Sequence, residues 1–190
     1  MKHDEAQRVC PLEKAGLLDF ALRRLLQNPK KILQPYVSEG MTALDLGCGP
    51  GFFTLEMARL VGGSGKVIAA DLQAGMLEIV RAKIRNSDLA PRVKFHLCPA
   101  NRIGVAEKCD FVLVFYMLHE VPDPGAFLRE IRALLAANGR VLLVEPKWHV
   151  TPKEFLYAVA VMEQAGFTVL ERPRIRFSRA VVLQATGAEA

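Results

Sequence analysis

The residue pattern predicts an α/β protein built on a doubly wound, mostly parallel, seven-stranded sheet that ends in an antiparallel hairpin. Three observations carry this reading. From residue 41 onward, short apolar runs alternate with stretches of helical period, as in strands joined by crossover helices. The first of these runs leads into a turn with glycine at every second position, Gly47, Gly49 and Gly51. After Gly166, two strand-like runs, 167–171 and 180–185, are separated by eight residues, too few for a crossover helix, so they must pair antiparallel.

Taken in order, the segment Leu12–Pro35 reads as one or two helices, with Leu17, Leu18, Leu22, Leu25 and Leu26 apolar and a break at Asn28-Pro29. Residues 1–38 are expected to cap a core formed by 39–190, the whole being one domain. Five buried parallel strands follow, at Met41–Leu46, Lys66–Asp71, Val93–Leu97, Asp110–Phe115 and Arg140–Glu145; each is rich in Val, Ile, Leu or Phe at successive positions. Asp123-Pro124 places a capping carboxylate before a first-turn proline. Phe127, Leu128, Ile131, Leu134 and Leu135 then share one helical face, and Asn138-Gly139 is expected to end that helix. Thr151-Pro152-Lys153-Glu154 has capping-box spacing and predicts a helix to about Gln164, closed by Gly166. Arg172, Arg174 and Arg176 alternate, which would put three cations on one strand face, read as a charge-guarded sheet edge or an anion-binding one.

The chemistry concentrates at Asp45-Leu46-Gly47-Cys48-Gly49-Pro50-Gly51. A strand that must turn sharply into a helix needs glycine, and so does a backbone that a ligand must touch. The plain alternative is a glycine-rich turn with no ligand. Two acids argue against it. Asp45 lies at the carboxyl end of the first strand, where open α/β sheets bind ligands, and Asp71 ends the next strand, 20 residues beyond Gly51, where a carboxylate can accept from both ribose hydroxyls. A dinucleotide turn has G-x-G-x-x-G, which would require glycine where this chain has Phe52. A carboxylate at the turn repels a pyrophosphate but suits the α-ammonium of a methionine moiety. S-adenosylmethionine (SAM) therefore fits the pattern, and NAD does not.

The run Asp45–Gly51 resembles motif I of the class I SAM-dependent methyltransferases, and the resemblance extends over almost the whole chain from residue 41. It is closest in flavour to the small-molecule, ubiquinone/menaquinone-biosynthesis type. Asp110-Phe111-Val112-Leu113-Val114 resembles the family's fourth strand, Leu134–Leu143 its following helix and fifth strand, and 167–185 its terminal hairpin. The resemblance implies a Rossmann-like three-layer sandwich, SAM as cofactor and S-adenosylhomocysteine as product. It implies cofactor contacts from Asp45, Gly47, Cys48, Gly49, Gly51, Asp71, Leu72 (packing on adenine) and Phe115. Many relatives have an acid after the third strand that accepts from the adenine amino group. Here Pro99 stands at that place, leaving the Ala100 amide and the Asn101 carbonyl to meet the ring.

The fourth strand ends Phe115-Tyr116-Met117-Leu118-His119-Glu120. This is neither the Asn/Asp-Pro-Pro-Tyr/Phe signature of amino-group methylation nor a Pro-Cys cytosine nucleophile. His119 with Glu120 resembles the pair that follows this strand in many small-molecule methyltransferases, and an imidazole near pKa 6.5 suits a base; capping or packing at a loop is the alternative role. The expected acceptor is a small molecule. The formal charge of +5, the pI near 9.2 and the arginines keep an RNA or protein acceptor open. Because no base is certain from sequence, so does a non-catalytic SAM-binding role. With only one helix inserted between the fifth and sixth strands, the acceptor site is open or completed by a second subunit in a homodimer. Cys10, Cys48, Cys98 and Cys109 are dispersed, with no metal-ligand spacing, so no metal is expected and buried thiols are, with Cys10 the exception. No run of about 20 apolar residues and no secretory leader is present, which predicts a cytoplasmic protein without a membrane span.

Overall fold

In the computed structural model, the described residues are 27–186; the expected N-terminal cap and Cys10 fall largely or wholly outside them. Helix α1 (Pro29–Leu33) is followed by β1 (Thr42–Leu46), α2 (Thr54–Leu60), β2 (Lys66–Asp71), α3 (Ala74–Ile84), β3 (Val93–Leu97) and β4 (Cys109–Phe115). Then come α4 (Pro124–Leu134), β5 (Leu135–Pro146), α5 (Pro152–Gln164), β6 (Phe167–Glu171) and β7 (Ser178–Ala185). The sheet order is β3-β2-β1-β4-β5-β7-β6. Pairing is parallel from β3 through β5, and β7 is antiparallel to both β5 and β6; the short 172–177 connection requires the latter. After β1 the chain builds outward through β2 and β3, then returns to lay β4 on the other side. The crevice outside β1 and β4 is therefore the place where this architecture binds ligands.

The near-continuous apolar strands are explained by burial on both faces. Ala43, Phe111, Leu113, Leu142 and Val144 pack with Met57, Ala58, Leu77 and Val80 of α2 and α3. The alternate residues, Leu44, Leu46, Val112, Val114, Val141 and Leu143, pack with Leu128, Ile131, Phe155, Val159 and Met162 of α4 and α5. Three layers result. No helix of the described residues is long and apolar enough to cross a membrane.

Local signals mostly act as read. Asn28 does not merely break a helix; its side chain accepts from Lys31 N and begins α1. Asp123 Oδ1 accepts from Ala126 N at 2.9 Å. At α5 the capping box is complete, with Thr151 N donating to Glu154 Oε2 (2.7 Å) and Glu154 N to Thr151 Oγ1 (3.3 Å). Thr151→Ala should lower unfolding stability by ~1 kcal/mol, read as a shifted midpoint in urea.

Two expectations are corrected. Helix α4 stops at Leu134, not at Asn138. Leu135 already pairs with Cys109, and the register then jumps from Cys109↔Leu135 to Phe111↔Arg140, so the intervening residues form a bulge. Asn138 (φ 65°) makes its bend, and a side chain at Gly139 would come within 2.8 Å of the Cys109 carbonyl oxygen. Arg172, Arg174 and Arg176 are not on a strand face; they project, exposed, from the β6–β7 connection while Ile175 between them is buried.

Candidate active site

The turn after β1 uses its glycines for three different reasons. All three have positive φ: 66° at Gly47, 51° at Gly49 and 86° at Gly51. A Cβ on Gly51 would lie 2.9 Å from both Leu55 Cδ1 and Val80 Cγ2, so this glycine lets the turn press onto α2 and α3. A Cβ on Gly47 would lie 3.4 Å from Met117 Cγ, which brings the loop after β4 against the turn. A Cβ on Gly49 would meet nothing within 4 Å. Gly49 therefore borders open space at the carboxyl end of β1.

The turn's amides are already engaged. Gly47 N and Cys48 N donate to the Ala70 carbonyl (2.9 and 3.0 Å), and Gly49 N donates to Asp71 Oδ2 (2.9 Å). Asp71 Oδ1 accepts from Gln73 N (2.9 Å), so this buried carboxylate ties β1 and β2 together at their carboxyl ends. Burial raises its pKa, against the lowering effect of those N–H donors. Asp45 is 2% exposed, and its Oδ2 accepts from Thr54 Oγ1 at 2.6 Å. Lys83 of α3 reaches the turn from behind, its Nζ donating to the Pro50 carbonyl at 2.6 Å, and burial lowers its pKa. Leu72 follows Asp71 and is 47% exposed, an apolar surface without cover. Ala100 and Asn101 are exposed beyond β3 on the same edge. Cys48 and Cys109 are buried and Cys98 is partly so. Burial pushes the thiols of Cys98 and Cys109 up to about 11 and about 12, and that of Cys48 higher still, so all three remain protonated and unreactive.

Beside this turn, β4 ends in a chain of rings. Phe52 meets Phe53 (4.9 Å between centroids), Phe53 meets Phe115 (4.3 Å), Phe115 meets Tyr116 (4.4 Å) and Tyr116 meets Trp148 (5.5 Å, edge-on). Tyr116 adopts φ 61°, a left-handed conformation rare for a bulky residue. Its hydroxyl is fixed by Ser178 Oγ and by Gln27 Nε2, both at 2.5 Å. Trp148, by contrast, is 63% exposed.

His119 sits in a 3-10 turn, Leu118–Glu120, just beyond β4. Its Nδ1 is 2.5 Å from Glu145 Oε2, and its backbone N donates to Glu145 Oε1 (3.3 Å). Glu145 lies near the end of β5 and is 2% exposed. The bond to Glu145 raises the imidazole pKa, outweighing burial; the charges of Glu145 and Glu120 add to the rise. Glu120 Oε1 stands 4.0 Å from His119 Nε2, and burial raises its own pKa, with a contribution from Asp71. The His149 ring stacks on His119 at 5.7 Å and 14°.

Residues 37–172 match the family model described as Methyltransferase domain. The chain belongs to this methyltransferase family. It is 32% identical over 130 residues to the ubiquinone/menaquinone biosynthesis C-methyltransferase of Haemophilus ducreyi, covering 68% of this chain and 50% of that protein. To the demethylmenaquinone methyltransferase of Lactobacillus johnsonii it is 33% identical over 117 residues, 61% of this chain and 48% of that one. The chain thus spans about half the length of the curated relatives it matches. A SAM-dependent methyltransferase of Aquifex aeolicus superposes with a TM-score of 0.83 at 26% identity, over 93% of this chain and all of that one.

The cofactor of this methyltransferase is SAM, and the turn fits it. Its Gly47, Cys48 and Gly49 amides are spent within the chain and two carboxylates flank it, which disfavours a diphosphate. Open space over Gly49, the carboxylates of Asp45 and Asp71 and the exposed Leu72 suit a cationic nucleoside without phosphate.

The structure brings Asp45, the glycines, Asp71, Leu72, Phe115, His119 and Glu120 to one edge of the sheet. Sequence reasoning missed Thr54, Lys83, Trp148, His149 and above all Glu145. That last residue carried a signal: it is an acid at the carboxyl end of a strand, as Asp45 and Asp71 are.

Proposed function

We propose that this methyltransferase moves a methyl group from SAM to a ring carbon of a small hydroxylated aromatic acceptor of the hydroquinone class. The observation that supports it best is the surface end of the ring series: Phe52, Phe53 and Phe115 are buried, and the half-buried Tyr116 and exposed Trp148, edge-on at 5.5 Å, offer π-faces and edges to a flat aromatic molecule. The names of the relatives, which act in quinone biosynthesis, point the same way.

When bound, SAM supplies an electrophilic methyl group. Asp45 is assigned to its ammonium, Asp71 to the ribose hydroxyls, Leu72 to one adenine face, and Ala100 and Asn101 to the adenine edge. Gly47, Cys48, Gly49 and Gly51 shape the backbone against it, and Phe115 walls the methionine side. Tyr116 and Trp148 orient the acceptor; positioning of this kind is the larger part of catalysis for an in-line displacement. His119 takes the acceptor's proton, with Glu120 beside it.

Trp148 is the one tryptophan of the chain, so its fluorescence reports on this site alone. Titrating 1,4-dihydroxynaphthalene into protein saturated with S-adenosylhomocysteine should quench and shift the emission with saturation. Protein plus SAM and this acceptor should release S-adenosylhomocysteine. Fluorescence that ignores the naphthalenediol, together with no turnover across substituted hydroquinones, would remove the acceptor class.

A second reading has one specific observation in its favour. Arg172, Arg174 and Arg176 are exposed on the same edge, with Arg176 Cζ 5.0 Å from the ring centre of Phe177, itself 47% exposed. Cations next to an exposed ring suit single-stranded RNA. That reading requires binding that weakens with salt, by about 0.7 log units per log unit for each phosphate contacted.

A further inference from the structure

We propose that Glu145 is a positioning residue that holds His119 as its Nδ1–H tautomer and so leaves Nε2 as the proton acceptor for the substrate's hydroxyl. The inference rests on the reading of His119 as the base and names what makes it one.

The geometry is specific. A carboxylate has two acceptor oxygens, and both of Glu145's serve one residue: Oε2 lies 2.5 Å from His119 Nδ1 and Oε1 accepts the His119 backbone N–H at 3.3 Å. An ionised carboxylate cannot donate, so neutral His119 must carry its hydrogen on Nδ1. The backbone bond fixes the 3-10 turn and the side-chain bond fixes the ring within it, so orientation and tautomer have a common origin. Glu145 itself cannot reach a substrate, being 2% exposed on β5 beneath the loop. Nε2 is left facing the side of Glu120, whose Oε1 stands 4.0 Å away.

The charged groups around the imidazole come from four elements. Glu145 belongs to β5, and Glu120 to the turn of His119 itself. His149, stacked at 5.7 Å, comes from the loop before α5, and Arg179 is Glu145's cross-strand neighbour on β7. The two acids stabilise imidazolium, and burial opposes it. Contact with Glu145 dominates.

Proton bookkeeping follows from this. The acceptor's O–H proton moves to Nε2, and the ring's electron pair forms the new bond to the methyl carbon. The carbon–sulfur pair stays on sulfur. The displaced ring C–H proton goes to solvent as aromaticity returns, and the imidazolium gives its proton back to the ring oxygen. One proton is released per methyl transferred, and the positive charge held meanwhile on His119 lies against Glu145.

Glutamine at 145 offers one acceptor and one donor in place of two acceptors. If its oxygen keeps the backbone N–H of His119, its NH2 group faces Nδ1 and forces the Nε2–H tautomer; if not, the turn loses its anchor. The test uses the full-length chain, with nitrogen-15 NMR of its four histidines assigned by single His→Gln changes. Wild-type His119 should show the Nδ1–H tautomer and titrate above 6.5. In E145Q its pKa should fall, with the tautomer lost or mixed. With 1,4-dihydroxynaphthalene as acceptor, E145Q should lose at least about tenfold in plateau kcat, and its acid limb should move to lower pH, while the SAM dissociation constant stays within about twofold. H119N should lose turnover to a similar extent and show no such limb.

An Nε2–H tautomer in the wild type, or identical His119 titration in wild type and E145Q, overturns the proposal. So does unchanged kcat in H119N. Should E145Q fail to fold, the wild-type tautomer together with the H119N pH profile decides. Failure of the wild type to bind SAM would sink the functional reading instead, and the NMR result would still decide the role of Glu145.

Discussion

Gly49→Ala is expected to weaken SAM binding by at least about tenfold, ~1.4 kcal/mol, while the protein stays folded. Gly51→Ala is expected to do the reverse. The two glycines share left-handed φ, so an added methyl costs each a similar backbone penalty of roughly 1–2 kcal/mol. They differ in what the methyl meets. At Gly49 it enters space with no atom within 4 Å, the volume assigned to the cofactor. At Gly51 it lies 2.9 Å from Leu55 Cδ1 and Val80 Cγ2, so α2 and α3 must give way and overpacking adds about 1–3 kcal/mol. Urea unfolding and calorimetric SAM titration on both variants separate the two effects. Undiminished SAM affinity in Gly49→Ala would mean that the cofactor does not lie over this turn.

Most of the fold was legible because parallel strands buried on both sides leave a plain mark. Lys66–Asp71, Val93–Leu97 and Phe167–Glu171 begin and end where the apolar runs do. The antiparallel hairpin was legible from chain length alone, since eight residues cannot cross the sheet. The stretch after α4 misled for a physical reason. Asn-Gly is a helix-ending signal and also a bulge signal, and only the partner strand decides between them. Cys109 pairs with Leu135, so the chain is extended three residues before the signal is reached. The arginine alternation failed similarly: period two marks one face only while the segment is a strand, and 172–177 turns instead.

The site divides along the same line. Its cofactor half lies in a contiguous motif plus one acid at a strand end, and both are visible in one dimension. The half proposed for the acceptor is assembled from the ends of β4, β5 and β7, which lie far apart in sequence. The contact between His119 and Glu145 spans 26 residues, and that between Tyr116 and Ser178 spans 62. No spacing rule links such residues, because the crossover helices that separate them vary in length. What remained readable was the chemical oddity of an acid in the run Val-Leu-Leu-Val-Glu-Pro, since a buried carboxylate must have a partner.

Asp71→Asn is expected to weaken SAM binding by about 1.4–3 kcal/mol, or ten- to a hundredfold, because charge-assisted bonds to both ribose hydroxyls become one neutral bond. Its effect on the free protein has two parts, both set by its burial. The carboxylate accepts from Gly49 N and Gln73 N, which favours the charged form, yet desolvation outweighs them and raises its pKa. A raised folded-state value in an acid means that the native protein binds more protons than the unfolded chain between the two pKa values. Stability therefore falls as pH rises through that window and recovers on acidification, the opposite of the usual ion-paired aspartate. Asparagine carries no such charge, so the variant should lack this contribution to the pH dependence; it also offers one acceptor where Gly49 N and Gln73 N use two, which should cost about 1–3 kcal/mol of stability. SAM affinity should behave in the other direction. It needs the ionised form, so in the wild type it should decline on acidification at a pH above the ordinary aspartate value, whereas in Asp71→Asn it should be weak and nearly flat across the same range. Calorimetric titrations at descending pH distinguish these cases, and parallel declines in both proteins would assign the titration to another group and take the ribose away from Asp71.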